Sequence, residues 1–215
     1  SDLIIAPPKT GKSTFCLQVA HNMHQRGVVP LFQSFEMSNL EQTTRYDAMR
    51  ARISHDRLQN GKLNPDEEAR YQAKLKTLGD MEHKFWLSGA VNGSTVSDVS
   101  AKVQALQPDV LFIDGVYLMI DEQTGRSNEA IPLTNITRSL KRLAQRFNIP
   151  VIISTQTLNH KLKNGRVTAD SIGYSSSFLQ DADLIFSLER EDPNVDDTRD
   201  RKSTRLNSSH EWISR

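Results

Sequence analysis

The sequence predicts an α/β fold: a mostly parallel central sheet with helices on both faces. Short β-rich runs alternate with longer helical stretches along the chain, the pattern of parallel strands joined by crossover helices. The runs at 109–114 and 150–155 are apolar at consecutive positions, as strands covered on both faces must be. A length of 215 residues suffices for one sizeable core of this kind and falls short of two comparable domains.

Taken in order, strands are expected at 2–6, 29–35, 84–88, 109–114, 150–155 and 183–188. Residues 12–26 read as a helix stopped by Gly27 as its C-cap. A polar helix over 38–58 and a second over 65–79 flank Asn60-Gly61, the second opened by Asn64-Pro65 or Pro65-Asp66. Val96, Val99, Val103 and Leu106 recur at helical spacing within 95–106, as do Ile136, Leu140, Leu143 and Phe147 within 132–148. The segments 121–130 and 159–177 are polar and glycine-bearing and are expected to be mobile loops.

Composition narrows the function classes. Lys and Arg number 27 against 26 Asp and Glu, a net charge of +1, so any nucleic-acid contact must come from a local patch. A single cysteine, Cys16, forms no intramolecular disulfide and cannot alone ligate zinc, which points to a small core residue in a reducing, intracellular setting. Apolar runs end after about ten residues, short of the ~20 that a bilayer span needs, so no membrane association is expected. His21 and His24 share a helical face, yet no third ligand lies near them in sequence, and partly buried histidines are commoner than zinc pairs.

Chemistry is concentrated in Ala6-Pro7-Pro8-Lys9-Thr10-Gly11-Lys12-Ser13-Thr14, which follows a strand and opens a helix. That context lets backbone N–H groups wrap phosphate oxygens, with Lys12 near the β- and γ-phosphates of ATP and the Ser13 hydroxyl on Mg²⁺. Ala6 stands where the usual P-loop has its first glycine, and a strained turn there would disfavour a Cβ. A second acidic signal is Val110-Leu111-Phe112-Ile113-Asp114, a buried strand ending in a carboxylate at the sheet's carboxyl edge, where Asp114 can hold Mg²⁺ directly or through water.

Several further motifs agree in order with one family. Ser34-Phe35-Glu36-Met37-Ser38 resembles the "SLEMS" segment of DnaB-type replicative helicases, and residues 136–144 running into 148–156 are similar to that family's "ISRSLK…LNVPVI…SQ" block. Residues 177–186, with Gln180-Asp181-Ala182-Asp183, resemble its "IEQDAD" segment, where Asp181 and Asp183 read as structural. The resemblance covers about 3–190, least well over 55–90, and has a phage-like cast. It implies a RecA-like P-loop ATPase domain in which Glu36 is the general base and Gln156 senses the γ-phosphate. On the residues alone, Glu36 as a first-turn helix acid and Gln156 as the start of a loop remain the alternatives.

The same resemblance implies a homo-oligomer, a hexameric ring, that grips single-stranded DNA, works with a primase or helicase loader, and acts in the cytoplasm of a bacterial cell or phage-infected host. Lys161, Lys163 and Arg166 are then candidate phosphate contacts, with a solvated charge run as the alternative. No arginine finger is assignable; Arg190 and Arg199 are candidates by position only. The expected organisation is one ATPase domain over 1–190 and an irregular tail over 191–215, in which 201–210 resembles translated adapter sequence and implies a lost native C-terminus. Leu3-Ile4-Ile5 already reads as a strand, so an N-terminal portion is expected to precede it. Other functions kept open are a RecA-like recombinase or clock-type ATPase, and a nucleotide-dependent DNA-binding or assembly partner that does not unwind duplexes.

Overall fold

The computed structural model describes residues 2–6, 9–89, 94–156, 181–190 and 204–208. Six strands lie parallel: β1 (Asp2–Ala6), β2 (Pro30–Ser34), β3 (Trp86–Ser88), β4 (Val110–Asp114), β5 (Val151–Gln156) and β6 (Leu184–Arg190). Their spatial order is β3-β2-β4-β5-β1-β6, and β7 (Thr204–Ser208) pairs antiparallel with β6 at the edge. The mostly parallel sheet holds as predicted; within the stretch 191–215, expected to be irregular, residues 204–208 form a strand.

Period-two alternation divides the apolar residues between two cores. Leu111, Ile113, Val151, Ile153 and Ile5 face α5 (Val96–Leu106) and α6 (Ala130–Phe147), which contribute Val99, Val103, Ile136, Leu140 and Leu143. Val110, Phe112, Phe32 and Ile4 face the opposite way, against Cys16, Leu17 and Ala20 of α1 (Lys12–His24) and Tyr46 of α2 (Asn39–Ala51). Phe32 and Phe112, side by side on β2 and β4, stack with centroids 5.8 Å apart. The Cys16 thiol is buried in this second core as a packing residue.

Local signals fix most helix ends. The turn after α1 closes at Gly27, where the Gly27 and Val28 N–H groups reach back to the His24 and Met23 carbonyls. Ser38 caps α2 and Asn64 caps α4 (Pro65–Gly79), each reciprocated by a glutamate three residues on. The helix expected over 38–58 is in fact two. Arg52 turns left-handed at φ 54, and Ser54 then caps a separate α3 (His55–Gln59) by accepting from the Arg57 N–H. A serine side chain that competes for backbone donors favours a cap over a helix interior, so the helix breaks here although the polar stretch itself continues.

The segment after β4, expected to be a mobile loop, is organised by one buried carboxylate. Asp121 is 4% exposed; it accepts from the Gln123 N–H, the Thr124 hydroxyl and Asn135 Nδ2 on α6. Asp121→Ala leaves those donors without their acceptor and is expected to lower stability by about 1–3 kcal/mol, seen as a fall in Tm of several degrees. An unchanged Tm would mean that the loop is held by something else. The other expected loop, 159–177, lies outside the described residues. No described helix is long and apolar enough to cross a membrane.

Candidate active site

Strand order and register bring the predicted residues to one edge. β5 lies between β1 and β4, with Ala6 opposite Gln156, Asp114 opposite Ser154 and Ser34 opposite Asp114. The carboxyl ends of β1, β2, β4 and β5 therefore place Lys12, Glu36, Asp114 and Gln156 around one point, although they are spread over 145 residues of sequence.

At the phosphate-loop end, Ala6 is the last residue of β1 and fully buried, with no left-handed backbone. The strain expected at this position is absent: among the described residues of the loop, the left-handed ones are Lys9 at φ 61 and Gly11 at φ 85. That is why alanine is accommodated in place of the first glycine. At Gly11 a Cβ would meet no atom within 4 Å, so backbone conformation alone demands glycine there. Gly11 is also the N-cap of α1 and, as glycine, gives it no side-chain cap; no acid stands in the helix's first turn. Ser13 and Thr14 sit in this first turn, Ser13 half-buried and Thr14 exposed; Pro7 and Pro8 lie outside the described residues.

Lys12 is 5% exposed, and its ammonium is held by carboxylates: Nζ is 2.8 Å from Glu36 Oε1 and 4.0 Å from Asp114 Oδ1. Asp114 is itself anchored, accepting from Ser154 Oγ at 2.7 Å and Ser34 Oγ at 3.2 Å. The Ser34 hydroxyl oxygen in turn accepts from the Glu36 and Met37 N–H groups and so shapes the turn that aims Glu36. Gly115 donates its N–H to Ser154 Oγ. Each serine thus links a neighbouring strand to the same carboxylate.

Glu36 receives three donors: Lys12, the Tyr117 hydroxyl, and Gln156 Nε2 at 3.4 Å. Burial pushes its carboxyl up, but the Lys12 charge and the donors outweigh it and hold the group below the ordinary glutamate value of 4.5. It is an anion at neutral pH. Tyr117, on the 3₁₀ turn Val116–Leu118, is shifted up by burial first and then by the Glu36 hydrogen bond and charge, so it keeps its proton.

The residues fit an anionic, Mg²⁺-associated ligand. A buried ammonium whose described partners are carboxylates can exchange them for phosphate oxygens, next to a helix N-terminus without a side-chain cap. Asp114 and Ser13 supply hard oxygen donors of the kind Mg²⁺ takes.

Tyr117, Gly115, Ser34 and Ser154 were not singled out from the sequence. The two serines stand inside quoted motifs, but only strand order reveals that they face one aspartate. Gly115 has a left-handed backbone at φ 86, and a Cβ there would lie 2.8 Å from Glu36 Cγ. Gly115→Ala is therefore expected to push Glu36 off its Lys12 and Tyr117 contacts and to lower Tm by several degrees. An unchanged Tm would show that the Glu36 side chain has room to move.

Other predicted residues take structural places or fall outside. Asp181 and Asp183 lie beside Arg138 and Lys141 of α6, 3.9 and 3.7 Å away, tying β6 to that helix. His21 Nδ1 is 3.1 Å from the Tyr46 hydroxyl, and His24 Nε2 is 2.9 Å from the His83 carbonyl. Lys161, Lys163, Arg166 and Arg199 lie outside the described residues.

Comparison with known proteins gives a consistent picture. The model of the DnaB-like helicase C-terminal domain matches residues 1–213. A probable replicative DNA helicase of Trieres chinensis is 34% identical over 202 residues, covering 89% of this chain and 44% of its own length. The replicative DNA helicase DnaB of Geobacillus stearothermophilus is 31% identical over 204 residues, with the same coverage of 89% and 44%. The chain thus spans less than half the length of these curated relatives. Among solved structures, an ATPase domain superposes with a TM-score of 0.81 at 20% identity, covering 96% of this chain and 79% of that one. A DnaB-like replicative helicase, determined with its interactions with primase, gives 0.80 at 20% identity over 96% of this chain and 55% of that one. At that identity the structural likeness speaks for the fold, which is RecA-like as expected.

Proposed function

This chain belongs to the family of DnaB-like helicase C-terminal domains, and from that membership we propose that it is the ATP-hydrolysing motor of a replicative DNA helicase, coupling hydrolysis to movement on single-stranded DNA and duplex unwinding. The observation that supports it best is the meeting of Lys12, Glu36, Asp114 and Gln156 at the ends of four adjacent strands.

In this reading Lys12 gives up Glu36 for the β- and γ-phosphate oxygens, and the first-turn N–H groups of α1 complete the cradle with the 6–14 loop. Ser13 and Asp114 would hold Mg²⁺, which would neutralise charge on the phosphates. Once Lys12 has changed partners, Glu36 is free to orient the attacking water and take its proton. Gln156, a neutral amide, can hydrogen-bond phosphate without committing charge, and Lys161, Lys163 and Arg166, which follow it in sequence, are the candidate contacts to the DNA backbone. Transition-state charge would be completed by an arginine from a neighbouring subunit of a ring, for which six copies are the expectation. A primase or loader as partner and a cytoplasmic setting follow from the same family reading.

Strand displacement by the full-length protein, with Lys12→Ala as control, tests the proposal. Duplex opening that needs both ATP and Lys12 is expected. Hydrolysis without opening in either polarity would overturn the helicase assignment in favour of a nucleotide-dependent assembly partner. The isolated chain is expected to bind Mg-ATP and turn it over slowly, since it supplies no assigned arginine in trans; fast turnover by a verified monomer would contradict this.

A further inference from the structure

We propose that Tyr117 is the positioning residue that ties the base to the sensor, its hydroxyl donating to Glu36 Oε1 while accepting from Gln156 Nε2. This rests on the reading of Glu36 as base and Gln156 as sensor. Direct contact between those two is long, 3.4 Å from Gln156 Nε2 to Glu36 Oε1, so the phenol is the shorter connection. A hydroxyl suits the position because it donates and accepts at once, whereas a carboxylate only accepts and an ammonium only donates.

The ring is held where it must be by the main chain. Tyr117 sits on the 3₁₀ turn that leaves β4 three residues after Asp114, fixed by buried Val116 and by the Leu118 N–H to the Gly115 carbonyl. The Lys12 ammonium lies 5.4 Å from its ring centroid. Because burial and the nearby Glu36 charge raise the phenol well above its usual range, it stays a donor throughout neutral pH. Lys12, Glu36, Tyr117 and Gln156 therefore form one connected set. A phosphate that draws Gln156 away from the phenol also changes what holds Glu36, so ligand sensing and base placement move together.

The test uses Tyr117→Phe, Gln156→Ala and the double variant. Without nucleotide, the two single losses in Tm should be non-additive, the double variant melting within about 1 °C of the worse single one. With Mg-ATP, Tyr117→Phe should slow single-turnover hydrolysis about tenfold while the Kd for a non-hydrolysable analogue stays within about twofold, and Gln156→Ala should cost less rate on the Tyr117→Phe background than on the parent. Additive melting losses, a parental hydrolysis rate, or a fall in affinity matching the fall in rate would each overturn the proposal. Failure of the parent chain to bind Mg-ATP would instead refute the functional reading, and the melting comparison would still decide whether the link exists.

Discussion

Lys12→Ala is expected to weaken Mg-ATP binding by on the order of a hundredfold and to bring hydrolysis below detection. A charged hydrogen-bond donor to phosphate contributes about 1.5–3 kcal/mol to binding, and loss of a preorganised cation in the transition state removes about 10²–10³ more in rate. The same change acts on the empty protein. Lys12 is almost fully buried between Glu36 and Asp114. Without it, two carboxylates face each other with no cation, although Asp114 keeps the Ser34 and Ser154 hydroxyls. A stability loss of about 1–3 kcal/mol is expected, below the value for a wholly uncompensated buried charge. Calorimetric titration with a non-hydrolysable analogue and thermal unfolding of the free chain measure the two effects separately. Parental affinity in a folded Lys12→Ala protein would remove the phosphate site from this loop.

Glu36→Gln should have the opposite profile: hydrolysis reduced by about 10²–10⁴, with nucleotide retained. The amide keeps the shape of the side chain and can still accept from Tyr117, but it cannot take a proton from water. It also releases Lys12 from its ion pair, so affinity for Mg-ATP is expected to rise a few-fold. A pH dependence of stability should disappear with it. Because Glu36 is held below the ordinary value of 4.5, its contribution is fully present above that pH and is lost as pH falls through the lower, folded-state value. In acid titrations of stability, the Glu36→Gln protein should therefore lack a component that the parent shows below about pH 4.5. Hydrolysis by Glu36→Gln at more than a tenth of the parental rate would assign the base elsewhere.

Much of the fold was legible because local signals agreed. β1 matches its expected bounds, and α4 begins at Pro65 behind its Asn64 cap as the sequence reads. The split at Ser54 escapes the sequence reading because the whole stretch is polar: α3 buries no side chain, so no apolar stripe marks where one helix ends and the next begins. Loop 121–130 reads as mobile because its polar composition hides one aspartate that is buried and satisfied.

Of the candidate site, the sequence by itself determined the chemistry-bearing residues: a phosphate loop around Lys12 and Ser13, two acids at strand ends, and a glutamine that resembles a sensor. These are readable because each depends on residue type and short-range spacing. Only the tertiary structure decided that β5 lies between β1 and β4, which sets Gln156 beside the phosphate loop and Ser154 against Asp114. Strand order is settled by which faces bury best together over the whole sheet, a non-local sum that no short motif encodes. Tyr117 and Gly115 gain their places from that order alone. Their contacts with Glu36 cross 81 and 79 residues of chain, a meeting that exists only once β2 and β4 are paired.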